Sequence, residues 1–413
     1  MDIHKVFKNT FAIGFSQIIN KIILFVLTIF IARYLKEIGF GQYSLVLTLV
    51  GFFNLFTNFG LSTIALREVS KNYTSANRYF NNIFFLRIIL GLLSYIFLFV
   101  SVKLLKYKPE IITATCIYGL TLFTNNIIDL VSYIFNAFEK MEYLAALTVS
   151  LNLLTLVLSI YILRIDYGLL GLVTVSVIAG FIVVFLGFFI SRRHLYLDFK
   201  ELNFGFAKGL IKNSTSLMLL GFIGLVYFRI DIVLLSKLKG IYEVGVYNVA
   251  YKLMDTFMIV SNSVVGATFP YMARYFHSSI KDFKKLINKL LLVLIFLGLI
   301  IATTISIFSK EIIFLFFGPA FVSSIPALKI LIWTIPLIYI NAVLVYTLIA
   351  ANQQSQIIIV TGIVTIVNFL LNILLIPKYS YIGSSYITII SEFFVLLGYC
   401  YLVKNRVFLK HYE

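Results

Sequence analysis

Leu286–Ser309 reads LINKLLLVLIFLGLIIATTISIFS. It carries a single charge, Lys289, near its start, and no proline. A helix that crosses a bilayer needs roughly 20 mostly apolar residues, because each residue rises about 1.5 Å. In lipid the backbone must bond to itself, so a run of this kind is a helix rather than a strand. Similar runs fill the rest of the chain. Working outward, the spacing predicts twelve spans, at 9–34, 41–66, 81–103, 110–138, 141–163, 168–190, 213–236, 243–270, 286–309, 326–350, 356–376 and 382–403. Gly39 and Gly41, Pro109, Gly168, Gly240, Gly318-Pro319 and Pro377 fall at or beside the breaks, where turn residues belong.

Composition agrees with an all-α integral membrane fold. Of 413 residues, 61% are apolar and 12% charged, and the mean hydropathy is +1.01. A soluble domain is about a quarter charged and at most about half apolar. The spans leave no room for a separate soluble domain, which excludes a soluble enzyme. The first run, from Phe11 past Ile31, is too long for the core of a cleaved leader and is read as a retained helix. The two cysteines, Cys116 and Cys400, lie in apolar runs and are read as buried free thiols.

The formal net charge is +17. In a soluble protein that excess would suggest nucleic acid. Here the side on which Lys and Arg gather accounts for it. With both termini inside, the inner segments hold nineteen basic residues and the outer segments ten. The inner set includes Lys5 and Lys8, Arg67, Lys71 and Arg78, and Arg192, Arg193, Lys200, Lys208 and Lys212 at mid-chain; it ends with Lys410. The bias places both termini in the cytoplasm of a multi-pass cell-membrane protein and requires no nucleic-acid partner.

The mid-chain basic segment divides the chain into two expected lobes of six spans, 1–203 and 204–413. A shift of 204 residues brings Lys8-Asn9 onto Lys212-Asn213, Arg33 onto Lys237, Gly41-Gln42-Tyr43 onto Gly245-Val246-Tyr247, and Asn58 onto Asn262. Six spans per lobe with the same topology make a parallel pseudo-repeat.

Ionisable residues at membrane depth cost roughly 2.5–3.5 kcal/mol on insertion scales, so they face protein or a wet cavity. The bases are Lys21, Arg87, Arg229 and Lys252; the acids are Asp129, Asp231, Asp255 and Glu392. They lie on polar stripes. One span carries Thr121, Asn125, Asp129, Ser132 and Asn136; another carries Asn248, Lys252, Asp255 and Asn262. Residues three and four apart share a helix face, so these spans turn a polar side away from lipid. A central polar cavity between the lobes is the simplest expectation. Structural pairing competes with that reading: Lys252 with Asp255, or Asp129 with Arg87. Arg229 and Asp231 are two apart and point to different sides.

Catalytic patterns are missing from the sequence. No phosphate-cradling G-x-x-x-x-G-K-[ST] loop occurs. His4, His194, His277 and His411 lie near membrane edges or chain ends and read as solvated or interfacial, with no metal site. Glu139 and Glu142 share a short turn and read as flanking helix ends. A carrier is favoured over an enzyme.

Several local patterns carry a family resemblance. The turn Arg33-Tyr34-Leu35-Lys36-Glu37-Ile38-Gly39-Phe40-Gly41-Gln42-Tyr43 follows the first span. Asn58-Phe59-Gly60-Leu61 and Arg67-Glu68 end the second, Phe269-Pro270 ends the eighth, and Phe317-Gly318-Pro319-Ala320-Phe321 follows the ninth. The chain resembles the polysaccharide-biosynthesis flippases, the Wzx-type members of the multidrug/oligosaccharidyl-lipid/polysaccharide exporter superfamily. The resemblance implies two six-helix lobes around a cavity. It implies transfer of a polyprenyl-diphosphate-linked oligosaccharide from the cytoplasmic to the outer leaflet, with membrane lipids and a polysaccharide assembly machinery as partners. It implies no cofactor beyond a coupling proton or cation. Carried over by position, Lys21, Arg87, Arg229, Lys252 and Asn125 would contact the substrate, and Asp129, Asp231, Asp255 and Glu392 would be candidates for ion coupling. Two rivals stay open: a cation-coupled multidrug antiporter of the same superfamily, with Asp129 or Asp231 at the coupling site, and a membrane-embedded glycan polymerase or ligase.

Overall fold

The structure, a computed structural model, describes the backbone of residues 3–191 and 196–409 and their side chains apart from residues 3–13 and Phe199. Arg192, Arg193, His194, Lys410 and His411 lie outside the described residues, as do the side chains of His4, Lys5 and Lys8. No strand occurs among the described residues. The helices are α1 (Ile3–Asn58), α2 (Leu61–Lys71), α3 (Ala76–Leu104), α4 (Pro109–Gly119), α5 (Thr121–Ala137), α6 (Met141–Arg164) and α7 (Gly168–Ser191). After them come α8 (Phe204–Leu238), α9 (Ile241–Ser278), α10 (Ile280–Ile307), α11 (Ser309–Phe316), α12 (Ser324–Leu331), α13 (Thr334–Ala350) and α14 (Gln354–Leu402).

Nine helical segments among the described residues are long and apolar enough to cross a membrane. Two of them, of 58 and 55 residues, are each well over twice the needed length. Each is broken once, α1 at Lys36 (φ 54°, ψ −167°) and α14 at Ser380 (φ 54°, ψ −141°). The 38-residue α9 is also long enough, but its polar stripe keeps its hydropathy below that of the nine. Counting both arms of each broken helix, and α9, gives the twelve expected spans.

Two expected breaks lie elsewhere. Gly39 and Gly41 are helical, and the turn between the first two spans is the single residue Lys36. Helix α14 runs through Pro377 and breaks three residues later. A proline frees one carbonyl partner but does not by itself end a spanning helix. Gly168, Gly240 and Gly318, by contrast, take the positive φ that a turn glycine provides.

The chain divides into two compact units. One comprises residues 1–35 and 45–222, the other residues 36–44 and 223–413. Residues 204–222 thus group with the first unit, although the expected division lay at 203/204. In the first unit the core gathers where α2 and α3 begin, α5 ends, α6 begins and α7 ends. Leu61, Phe80, Ile83, Leu130, Phe135, Leu147, Val183 and Leu210 are buried there. In the second unit α13 packs on α9, α10 and α14.

The expected cysteine burial is corrected: Cys116 is half-buried and Cys400 exposed. The apolar face of a spanning helix points to lipid as often as to protein, so an apolar run does not imply burial in the fold.

Within the second unit, the nine residues 36–44 lie against α9 in a reciprocal pattern. A Cβ on Gly41 would come within 2.1 Å of the Ile241 carbonyl oxygen, and one on Gly245 within 1.9 Å of the Glu37 carbonyl oxygen. Asn248 donates to the Ser44 hydroxyl at 2.5 Å. Each residue pair maps onto itself under the 204-residue shift: 37 onto 241, 41 onto 245, 44 onto 248. The break at Lys36 likewise maps onto Gly240 (φ 111°, ψ 179°). Such i-to-j′ and j-to-i′ contacts mark a local pseudo-two-fold axis. Glycine at both positions lets the two backbones touch.

Candidate functional site

In the first unit, α3 presents Arg87 toward α2 and α5. Its side chain is 2% exposed. One Nη donates to the Asn126 carbonyl and the other to the Ser62 hydroxyl. Asp129, one turn beyond Asn125 on α5, accepts from Asn58 at 3.4 Å. Asn126 donates to Asn54 Oδ1 at 2.8 Å. Arg87 therefore binds three helices together, and its hydrogen bonds go to a carbonyl and a hydroxyl instead of to Asp129. Asn125 and Asp129 are half-buried. On α1, Asn20 donates to Thr148 at 3.2 Å and accepts from Asn152 at 2.9 Å, which fixes α1 on α6. The next residue, Lys21, is exposed.

The second unit brings the remaining residues together. Arg229 lies 3.7 Å from Asp255 and stacks over the Tyr251 ring at 5.0 Å. Both members of this pair are about a quarter exposed. Lys252, on α9 beside them, is half-buried. Asp231 faces the other way, as its two-residue offset requires. It is 6% exposed and accepts from the Tyr247 hydroxyl and, at 2.8 Å, from the Ile232 amide. Glu392 is 4% exposed and accepts from the Tyr227 hydroxyl and the Asn341 carboxamide, each at 2.8 Å.

Asp231 and Glu392 line one small cavity with Tyr251, Asn368, Thr388 and Ser391. Its volume is about 10 Å³, room for one water-sized occupant. Neither carboxylate has a salt bridge among the described residues. A buried carboxylate is tolerated when hydrogen-bonded, paired or neutralised. Here hydroxyls and amides supply the bonds, and the space fits a proton-bearing water or a single small cation. It does not fit a saccharide. The neighbouring polar ladder runs from Asn368 to Ser391 (2.9 Å) and from Ser384 to Asn372 (3.1 Å).

Sequence reading found the acids and missed their partners. Tyr227 and Tyr247 counted toward apolar spans, and Thr388 and Asn341 are isolated polar residues with no stripe of their own. The amides of Asn77, Asn81 and Asn82, which bond the backbone of residues 196–203, were also missed. Three asparagines within six residues at a helix start are the signal that marks them.

Comparison with known proteins fits this architecture. The family model for polysaccharide biosynthesis proteins matches residues 6–276, and a second model, MatE, matches residues 217–374. The capsular polysaccharide biosynthesis protein CapF of Staphylococcus aureus is 24% identical over 401 residues, covering 95% of this chain and 98% of CapF. Among solved structures, the lipid II flippase MurJ in an inward closed conformation superposes with a TM-score of 0.77 at 15% identity, over 97% of this chain and 88% of MurJ. An inward-facing multidrug resistance transporter of the MATE family, in the MOP superfamily, gives the same TM-score at 14% identity, over 95% and 96%. With its all-α spans and intramembrane charges, the chain belongs to the polysaccharide biosynthesis protein family and is a multi-pass membrane protein built on the fold of the MOP-superfamily transporters.

Proposed function

We propose that this protein carries a polyprenyl-diphosphate-linked oligosaccharide from the cytoplasmic to the outer leaflet of the cell membrane by alternating access, in the assembly of a surface polysaccharide. The match to CapF along nearly the whole of both chains carries this reading. Both termini are cytoplasmic, as the basic-residue bias implies. A diphosphate cannot cross hydrocarbon unaided, and fixed Lys and Arg replace its water. Lys21, Arg229 and Lys252, with Asn125, are the proposed cargo contacts. Arg87 is left out of the set, because a guanidinium buried among three helices has no surface to offer. The small cavity lined by Asp231 and Glu392 is the proposed coupling site for a proton or small cation.

A second reading, a cation-coupled multidrug antiporter, draws on the MatE match to residues 217–374. One experiment separates the two. In cells that lack the native gene, the flippase reading expects lipid-linked oligosaccharide to accumulate on the cytoplasmic leaflet and surface glycan to disappear. Asp231→Asn, at equal protein level, should restore little export. Unchanged glycan together with lowered drug resistance in the deletion strain would favour the antiporter and sink the flippase.

A further inference from the structure

A second pocket lies in the first unit. It has a volume of about 480 Å³ and opens at the end of the unit where α2 finishes and α8 begins. Arg67, Glu68, Tyr79, Gly205, Gly209 and Asn213 line it, over a floor of buried Ile64 and Leu210. Arg67-Glu68 is a motif that the transport site leaves unused.

Three features make this a built site. The first is its unspent polar groups. Arg67 gives its Nε to Glu68 at 2.7 Å, and its Nη groups make no bond among the described residues. The half-buried Tyr79 and the exposed Asn213 bring a hydroxyl and a carboxamide to the same pocket. Glu68 is already held by Arg67 and by Lys71 at 3.1 Å. The three side chains sum to one positive charge, with the acid serving to aim the arginine.

The second is a side-chain-free wall. Gly205 and Gly209 are one turn apart on α8, and a Cβ at Gly209 would meet nothing within 4 Å. A ligand can therefore lie directly on the backbone.

The third is rigidity. Phe206 is clasped between the Arg78 guanidinium, 4.3 Å from the ring centre, and the Tyr79 ring, edge-on at 5.0 Å. The start of α8 is fixed by Asn203, which accepts from the Phe206 amide at 2.8 Å, and by Asn82, which accepts from the Asn203 amide at 2.9 Å.

The surroundings say what the ligand must be. Phe204, next to Gly205, is 87% exposed, and Tyr196, Leu197 and Leu202 just before it are exposed too. Cations and aromatic or aliphatic side chains exposed together are the pattern of a membrane interface. A phosphate bearing a greasy tail satisfies both halves; a free sugar or an apolar drug satisfies one.

We propose that this pocket binds the phosphate of a lipid headgroup. The phosphate sits on the Arg67 guanidinium over the Gly205–Gly209 wall, with donors from Tyr79 and Asn213, and the tail leaves past Phe204. The proposal is independent of the transport reading above.

The test is a thermal-shift titration of the purified full chain in detergent with four probes: dioctanoylphosphatidylglycerol, farnesyl diphosphate, dioctanoylglycerol and inorganic phosphate. Saturable stabilisation is expected from the two lipid phosphates and not from the other two. Arg67→Gln removes a charge-assisted phosphate contact and should weaken binding by about tenfold. Gly209→Leu should fill the wall to the same effect, and Lys239→Gln, at an exposed lysine outside this pocket, should leave phosphatidylglycerol binding unchanged. Similar affinity for both lipids identifies bilayer phospholipid as the occupant; strong preference for farnesyl diphosphate identifies the prenyl carrier. Wild-type phosphatidylglycerol binding by Arg67→Gln overturns the proposal, whatever the fate of the leucine variant. So does inorganic phosphate acting as well as the lipids.

Discussion

At the scale of single residues, two arginines at membrane depth play opposite parts. Arg87 is enclosed, with both Nη groups on neighbouring helices. Arg87→Ala strands a carbonyl and a hydroxyl inside the packing, at a cost of about 3 kcal/mol. Arg87→Lys should recover little, because one ammonium cannot reproduce the planar fork. Melting of the purified variants in detergent reads this directly; an Arg87→Ala melt matching wild type would place Arg87 outside the packing. Arg229 is different, about a quarter exposed and 3.7 Å from an equally exposed Asp255. Such a pair contributes under about 1 kcal/mol. Arg229→Ala should therefore keep its abundance and lose glycan export, and Arg229→Lys should keep part of it. Normal export by the alanine variant at equal protein level would remove Arg229 from the cargo contacts. Sequence alone ranked these two arginines together. Residue type and depth were legible, but the burial that separates them depends on which neighbours α3 and α8 acquire.

At the scale of elements, the twelve spans could be read because a helix in lipid needs a long apolar run and little else. Its ends were less legible. Gly41 looked like a turn residue, yet it is helical and marks a helix crossing. Glycine serves both purposes, and local sequence does not say which. The crossing makes a sharp forecast. Gly41→Ala and Gly245→Ala each force backbone apart and should cost about 1–3 kcal/mol in melting experiments. The double variant should cost clearly less than their sum, since one separation relieves both clashes. Additive losses would mean that the two glycines do not share a contact. The asparagine strap makes another. Asn82→Ala releases the Glu201 carbonyl and the Asn203 amide. Trypsin should then cut at exposed Lys200 several-fold faster. An unchanged cutting rate would show that residues 196–203 are held by something else.

At the scale of the molecule, the nineteen-to-ten bias of basic residues predicts cytoplasmic termini. Reporter fusions after Lys212 and Lys289 should mark the cytoplasm, and one after Lys239 the outside. One inverted result would break the twelve-span topology. The repeat was legible through rare residues only: a glycine, an asparagine and a cation recurring at one offset. Apolar positions could not reveal it, since lipid accepts any of several aliphatic side chains at each.

The reciprocal crossing also constrains how the protein is made. Residues 36–44 belong with residues that the ribosome adds about 200 positions later, an interval of about 10–40 s at ordinary elongation rates. Throughout that interval the glycine edge of residues 36–44 has no α9 to pack against. Expressing the chain as two fragments divided at 203/204 would leave those nine residues on the wrong polypeptide. The late fragment alone should be degraded in the cell, and survive only when the early fragment is made beside it.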